Sequence, residues 1–315
     1  MTTTGSFTRR RFLSAGSMMA CGIALAPRRM FAQATAPDMI AQARAVAANA
    51  KITTQVLRGN ITAVMGSGGN IAVLTGKDGK VLIDSGFMTS QPQITAALNQ
   101  ISGDPMTHLI NTHWHFDHTD GNEWMHSAGA TILAHENTKK RLSETTTIEA
   151  FHYTFQPAPA GARPTETMSQ EKTMKLNGAT MHLAHYAPAH TDTDISIHFQ
   201  EADVLHCGDT FFNGRYPFID TSTGGSINGM IAATDHNLTL AGEKTIVIPG
   251  HGPVGDRAAL QQFRDMLAFS RDAVGALKKQ SKTLDEVKAA KPLASYDAKW
   301  GNSATMFLGL VYQGV

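Results

Sequence analysis

The feature that most constrains this chain is a cluster of metal-ligand side chains in residues 113–118. His113, His115, Asp117 and His118 lie within this one hexapeptide, directly after the apolar run 107–111. Imidazole and carboxylate together suit zinc and neighbouring transition metals, and the motif lacks the thiolates of a structural zinc finger. A loop can direct His113 and His115 to one side and Asp117 and His118 to another. One motif can therefore serve two metal ions.

Three later segments repeat the arrangement of a His or Asp that follows an apolar run. They contain His190, Asp209 and His251, and a Gly or Pro lies near each of them in the sequence. Such residues let the backbone turn tightly at the end of a strand. Each segment alone is a weak indication. Their order after the first motif favours one shared site at strand ends.

The predicted strands occur in both halves of the chain and alternate with helices. Glycine-rich connections separate the first four strands, which predicts an antiparallel sheet at the start. Residues 145–170 are interpreted as a long irregular loop. Two packed sheets with helices outside, an αββα sandwich, accommodate this order. The predicted strands are 52–57, 61–65, 71–75, 80–84, 107–111, 131–134, 181–184, 195–199, 204–207 and 245–248, and the predicted helices are 38–50, 90–101, 121–127, 136–142, 226–240, 256–279, 284–290 and 304–312.

Residues 1–34 have the layout of an export signal. A basic cluster at 9–11 precedes Phe12, Leu13 and a weakly apolar run, and a small-residue site at 32–34 follows. Paired arginines before Phe-Leu are typical of the twin-arginine type. The run has about 15 residues, fewer than the roughly 20 that a membrane span needs. The sequence therefore predicts a periplasmic or secreted protein with one domain over 35–315 and no membrane span in the mature chain.

On these motifs the sequence resembles the metallo-β-lactamase superfamily, from about residue 52 to the helix after His251. The family fold is the same αββα sandwich. The resemblance implies two divalent metal ions, zinc foremost, with iron or manganese as alternatives. Asp84 matches a family aspartate that supports the metal loop without binding metal. Position by position, the resemblance assigns His113, His115 and His190 to the first metal, Asp117, His118 and His251 to the second, and Asp209 to a bridge between them.

The resemblance further implies metal-assisted hydrolysis, in which a hydroxide shared by the two ions attacks the substrate and Asp117 orients or deprotonates the nucleophile. A small ester, lactone, thioester or β-lactam is the expected substrate. Glutathione thioesters are disfavoured because the export signal removes the enzyme from a cytosolic substrate. Three alternatives stay open: a β-lactamase proper, a mononuclear iron redox enzyme, and a non-catalytic periplasmic accessory protein.

Two segments are predicted to line the substrate cleft. His152 lies in the long loop among aromatic residues suited to closing over an apolar substrate. The opposite wall has four candidates after Asp209, namely Phe211, Phe212, Arg215 and Tyr216. Among them, Arg215 would anchor a substrate carboxylate.

Two further segments are candidates for positions near the site. Cys207 lies two residues before Asp209, and alternation along a strand would bring it towards the metals. The glycine-rich run 66–69 is interpreted as a flexible hairpin tip over the site.

Composition narrows the class of partner. The 27 Lys and Arg residues nearly balance the 26 Asp and Glu residues, for a formal net charge of +1. The sequence thus lacks the basic excess that binding to a nucleic-acid backbone requires. A small-molecule substrate is the expected partner, and the pattern does not predict an oligomeric state.

Overall fold

The apolar runs of the sequence form two β-sheets. The computed structural model describes residues 36–301 and 304–315, so the predicted export signal lies outside the described residues. The first four strands are antiparallel, as predicted, and the rest of the first sheet is parallel. In spatial order, the seven strands of this sheet are β1 (Thr53–Val56), β2 (Ile61–Met65), β3 (Ile71–Leu74), β4 (Lys80–Ile83), β5 (Met106–Ile110), β6 (Thr131–His135) and β9 (Glu166–Met168).

The second sheet has six strands and is antiparallel except for one parallel pair, β13 with β14. A separate hairpin pairs β7 (Thr146–Ile148) with β8 (Tyr153–Phe155). In spatial order the second sheet contains β10 (Glu171–Leu176), β11 (Ala179–His185), β12 (Ile195–Phe199), β13 (Val204–His206), β14 (Ile246–Ile248) and β15 (Gly255–Asp256).

Several helices begin at polar side chains that cap the first turn. Ser226 accepts a hydrogen bond from Gly229 N before α6, and Asp256 accepts one from Ala259 N before α7. No helix in the described ranges is both long and apolar enough to cross a membrane. The helices are α1 (Ala36–Ala47), α2 (Gln91–Ile101), α3 (Phe116–Thr119), α4 (Asn122–Ser127), α5 (Glu136–Ser143), α6 (Ile227–Leu240), α7 (Arg257–Lys279), α8 (Leu284–Ala290), α9 (Ala294–Trp300) and α10 (Ala304–Gly314).

Side-chain alternation along the strands builds three apolar layers. In β4, Val81 and Ile83 join the layer between the two sheets, whereas Leu82 joins the layer under α2 and α4. A third layer packs the second sheet against helices of the C-terminal half, including Met230 of α6 and Phe263 of α7. The predicted αββα sandwich is therefore confirmed.

Three sequence-based assignments of secondary structure were wrong. The segment 145–170 is not wholly irregular, because it contains the β7–β8 hairpin and the strand β9. Strand β10 was missed because Lys172 occupies one of its less exposed positions, where an apolar residue would have completed the alternation. Helix α9 was missed as well. This helix has only seven residues, and Leu293, the residue before its first residue Ala294, provides no side-chain cap.

The layer between the sheets should carry much of the stability. We expect Ile197→Ala to lower the free energy of unfolding by about 2–5 kcal/mol, because Ile197 is fully buried and its loss leaves a cavity. Val56→Ala is the matched control, since Val56 is 78% exposed, and it should change stability by less than about 0.5 kcal/mol. Urea denaturation followed by circular dichroism measures both, and equal losses would contradict the layer assignment.

Candidate metal centre

The predicted ligand residues lie where strands of both sheets end. Residues 111–118 follow β5, Asp209 follows β13, and His251 follows β14. Hydrogen bonds join the two sheets at this edge, from Ile195 N to Thr112 O (2.8 Å) and from Asn70 N to Gly250 O (2.7 Å). The carboxyl ends of neighbouring strands thus deliver side chains from distant parts of the sequence to one place.

Four buried side chains form a first group of potential ligands. The group comprises His113, His115, His190 and Asp209, whose ligand atoms all lie within 4.8 Å of one another. His190 Nε2 lies 2.8 Å from His115 Nδ1. Asp209 Oδ2 lies 3.4 Å from His190 Nε2 and 3.9 Å from His113 Nε2.

A second group contains Asp117, His118 and His251, again with ligand atoms within 4.8 Å. His251 Nε2 lies 3.2 Å from Asp117 Oδ2. Asp209 also contacts this group, since its Oδ1 is 3.1 Å from His118 Nε2 and its Oδ2 is 3.4 Å from His251 Nε2. The structure therefore brings together all seven side chains predicted as ligands and places Asp209 between the two groups.

Asp84 contacts His118 of the second group at the ring nitrogen that faces away from the other ligands. Its Oδ2 lies 2.7 Å from His118 Nδ1 and accepts a hydrogen bond from Thr112 Oγ1, while its Oδ1 accepts one from Thr112 N. Asp84 has a left-handed φ of 66°, which is unusual for a residue with a side chain. These contacts hold the loop and the His118 ring, and Asp84 belongs to neither ligand group.

The first-group histidines also have protein partners on the ring nitrogen that faces away from the group. His190 Nδ1 lies 2.8 Å from Phe218 O, and His115 Nε2 lies 3.1 Å from Asp220 Oδ2. A proton on the outer nitrogen leaves a lone pair on the inner one. His113 Nε2 is buried and has no hydrogen-bond partner among the described residues. Such an orphaned nitrogen among carboxylate and imidazole donors suits a metal ion.

Two glycines leave room for these rings and carboxylates. A Cβ on Gly250 would lie 1.9 Å from Asp209 Oδ1, and one on Gly69 would lie 2.1 Å from His118 Cε1. Gly69 N also donates to Asp117 O at 3.1 Å. The run 66–69, predicted as a flexible tip over the site, instead packs directly against the metal-binding loop.

The two groups differ in their protonation. Burial lowers the pKa of His113 well below its usual value and lowers that of His190 to about 4. Burial also opposes charge on His118 and His251, but the nearby carboxylates together outweigh it, Asp209 and Asp117 at both rings and Asp84 at His118. The pKa of His118 therefore rises well above normal and that of His251 rises to about 9. Without metal and at neutral pH, His113 and His190 are therefore neutral, whereas His118 and His251 are protonated.

Aromatic side chains of the β7–β8 hairpin and of the segment after Asp209 flank the groups. Phe151 stacks on Phe218, with ring centroids 4.6 Å apart, and the Phe218 ring is 5.8 Å from that of His115. Phe155 stacks on Phe116 in the metal-binding loop, at 5.4 Å. Aromatic rings of this hairpin thus lie beside the ligand groups, whereas His152 itself is exposed at the turn.

The residues predicted for the opposite wall lie in different surroundings. Phe211 is fully buried against Phe263 in the core, whereas its neighbour Phe212 stacks on His251 at 5.2 Å. Tyr216 donates a hydrogen bond to Asp297 Oδ1 at 3.0 Å, so its hydroxyl is engaged with α9. Arg215 is exposed.

Cys207 does not approach the ligand groups. It is buried with Leu205 in the layer between the second sheet and the helices, and burial raises the pKa of its thiol. Strand β13 ends at His206, and Gly208 then takes a left-handed φ of 51° in a short 3-10 turn. This turn breaks the alternation, so Asp209 reaches the site and Cys207 stays in the core.

Sequence reasoning missed Phe218 and Asp220. Both lie between residues 211 and 225, a segment that forms only a short 3-10 turn and so has no periodic pattern to indicate which side chains face the site. The burial of an acidic residue such as Asp220 would have indicated a role in the site, but burial cannot be read from the sequence without the fold.

The fold and site agree with the comparison to known proteins. The metallo-beta-lactamase superfamily matches residues 64–262, and the chain belongs to this superfamily. Its relatives include a hydroxyacylglutathione hydrolase of Polaromonas sp., 28% identical over 50% of this chain and 52% of the relative. Another, from Rhodospirillum rubrum, is 32% identical over 39% of this chain and 40% of the relative. The chain thus spans about half, or less, of these relatives.

Solved structures support the same architecture. A stereoselective inverting sec-alkylsulfatase from Pseudomonas sp. superposes with a TM-score of 0.62 at 18% identity, covering 90% of this chain and 53% of that one. A metallo-beta-lactamase from Pontibacter korlensis gives a TM-score of 0.56 at 16% identity, covering 69% of this chain and 99% of that one. At these identities the similarity establishes the fold alone.

Metal uptake should depend on pH differently in the two groups. A metal ion must displace protons from His118 and His251, so binding at the second group should release protons and tighten as pH rises from 6 towards 9. His113 and His190 are already neutral above pH 6, so binding at the first group should change little over that range.

Zinc calorimetry in two buffers of different ionisation enthalpy measures this proton release. His190→Ala isolates the second group and His251→Ala isolates the first. Equal proton release by the two variants would contradict the assignment.

Proposed function

We propose that this chain is a metal-dependent hydrolase that cleaves thioesters and related esters with two divalent metal ions, zinc foremost. The observation that carries the proposal is the pair of adjacent ligand groups with Asp209 between them. The hydroxyacylglutathione hydrolases among its relatives act, by their name, on thioesters, which places thioesters ahead of β-lactams.

The residues fit the proposed metals. Imidazole and carboxylate donors without thiolate are typical of catalytic zinc and related ions. We assign His113, His115 and His190 to the first ion, the second group to the other, and Asp209 to both. When bound, such ions polarise a carbonyl and acidify water at neutral pH.

Asp117 is proposed to orient the attacking water. Burial would raise its pKa, but the charges of His118 and the hydrogen bond with His251 lower the pKa to about 2, so the carboxylate is ionised at neutral pH. Its side chain is 19% exposed, more than that of any other acid in the two groups. It can therefore reach a water that attacks the substrate and orient it by accepting a hydrogen bond from it.

The aromatic pairs exclude water around the reacting carbonyl. Phe116 with Phe155 and Phe151 with Phe218 present ring surfaces on the hairpin side, and Phe212 covers His251. Apolar walls strengthen electrostatic interactions inside a site because they lower the local dielectric constant. They favour a substrate whose acyl or alcohol part is apolar.

Hydrolysis of a substrate panel tests the proposal. We expect a simple acyl thioester or an aryl ester to be hydrolysed, with activity lost on chelation and restored by zinc. Asp209→Asn should lower kcat/KM by at least about 100-fold, because it removes the carboxylate charge shared by both groups. Asp203→Asn, at a turn that pairs with Arg58, is the control and should retain activity.

The panel also includes a chromogenic cephalosporin. Turnover of this compound alone would favour a β-lactamase proper. Turnover unaffected by loss of the second group would favour a mononuclear iron enzyme, and metal binding without turnover would favour an accessory protein.

We also propose that the enzyme is exported by the twin-arginine route to the periplasm, from the signal pattern in residues 1–34. Replacing Arg9 and Arg10 with lysine keeps the charge and should leave the full-length chain in the cytoplasm. Fractionation and immunoblotting measure this. Lysine substitution at Arg28 and Arg29 is the control, and a processed periplasmic double variant at 9 and 10 would refute the route.

A further inference from the structure

We infer that Asp220 is a positioning residue that fixes the His115 ring so that Nδ1 faces the first ligand group. The inference rests on the proposed function only in taking that group to bind metal. Asp220 has no side-chain exposure, and its Oδ2 lies 3.1 Å from His115 Nε2. The opposite ring nitrogen, Nδ1, lies 2.8 Å from His190 Nε2 inside the group.

The hydrogen bonds around Asp220 determine the tautomer of His115. Asp220 Oδ2 also accepts from Thr223 Oγ1 at 2.7 Å, and Oδ1 accepts from Ser222 N at 3.0 Å. An ionised carboxylate can only accept, so His115 Nε2 must carry the proton that is shared with it. Nδ1 then keeps a lone pair for the metal. The opposite tautomer would direct an N–H into the group.

His115 differs from its neighbours in which nitrogen faces the group. His190 and His113 present Nε2 to Asp209, and their Nδ1 atoms contact Phe218 O and Thr112 Oγ1. His115 presents Nδ1, so its orientation needs an acceptor at the opposite position of the ring. Asp220 is that acceptor.

The same turn also holds the backbone of His190. Asp220 N donates to His190 O at 2.9 Å, and Gly225 N donates to Asp220 O at 2.8 Å. Gly225 approaches so closely that a Cβ there would lie 2.3 Å from His190 O. One turn therefore sets both the ring of His115 and the peptide of His190, two of the proposed ligands of one ion.

The turn also contacts the aromatic hairpin. Glu149 N donates to Ser222 Oγ at 2.8 Å, and the backbone N of the same Ser222 donates to Asp220 Oδ1. Asp220 thus parallels Asp84, which contacts His118 in the second group. Each group has one buried carboxylate on the outer side of a histidine, and such partners orient metal ligands and raise their basicity.

Zinc affinity of the full domain tests this role without relying on hydrolysis. We expect Asp220→Asn to bind the first zinc about 10–100-fold more weakly, because the amide keeps an acceptor for the turn but removes the carboxylate charge. Asp220→Ala should bind it more weakly still. Chelator competition gives the affinities, and the cobalt-substituted protein should show an altered visible spectrum in both variants.

Asp203→Asn is the control for loss of a turn carboxylate, since Asp203 pairs with Arg58 and Thr245 away from the ligand groups. If Asp220→Asn lowers only the melting temperature, as this control does, and keeps wild-type zinc affinity and cobalt spectrum, the inference is overturned. If the wild type hydrolyses nothing on the panel but Asp220→Asn still weakens zinc binding, the proposed function fails and the role of Asp220 stands.

A measurement on the wild type needs no variant. Nitrogen-15 NMR of the histidine rings in the zinc-loaded protein should show His115 protonated at Nε2 and free of a proton at Nδ1. A proton on Nδ1 would overturn the inference even if the Asp220 variants did not fold.

Discussion

The contact of the Asp209 carboxylate with two groups of histidines is the interaction on which this site depends. Seven ligand-type side chains lie so close together that, without compensation, their burial would carry a heavy desolvation penalty. Asp209 provides negative charge to His118 and His251 on one side and faces the neutral His190 on the other. A cation between the groups and Asp209 would satisfy lone pairs that the protein alone leaves crowded.

The two-sheet scaffold holds these closely spaced ligand side chains in place. Asp209 and His251 follow the parallel strands β13 and β14, and residues 111–118 follow β5 of the other sheet. Glycines at 69 and 250 give the rings and carboxylates the space they need, since any side chain there would overlap them. The outer partners, Asp84 and Asp220, then decide which ring nitrogens face inward. The strand ends bring the ligand side chains close together, and the hydrogen bonds from the outer partners orient the histidine rings.

The sequence predicted those parts of the site that local pattern encodes. His113, Asp117 and Asp209 stand beside apolar runs, so both the strands and the residues at their ends were visible, and the αββα order followed from the run of strands. Phe218 and Asp220 were not visible, because they lie in an irregular segment in which tertiary contacts determine which side chains face the site. The same holds for Cys207, where a left-handed glycine changed the direction of the chain. Alternation predicts a side chain's direction only while the strand lasts.

The two groups differ in solvent exposure, and this difference determines which of them solvent reaches first. His113 and His190 have no side-chain exposure, whereas Asp117 and His251 are 19% and 15% exposed. Solvent and substrate therefore approach from the side of the second group, where Asp117 is ionised and the aromatic ring of Phe212 borders His251. The buried first group is held by the Asp220 turn and is shielded from exchange. We therefore expect the second ion to leave first when a chelator is added, because two of its ligands, Asp117 and His251, are the ones that water reaches.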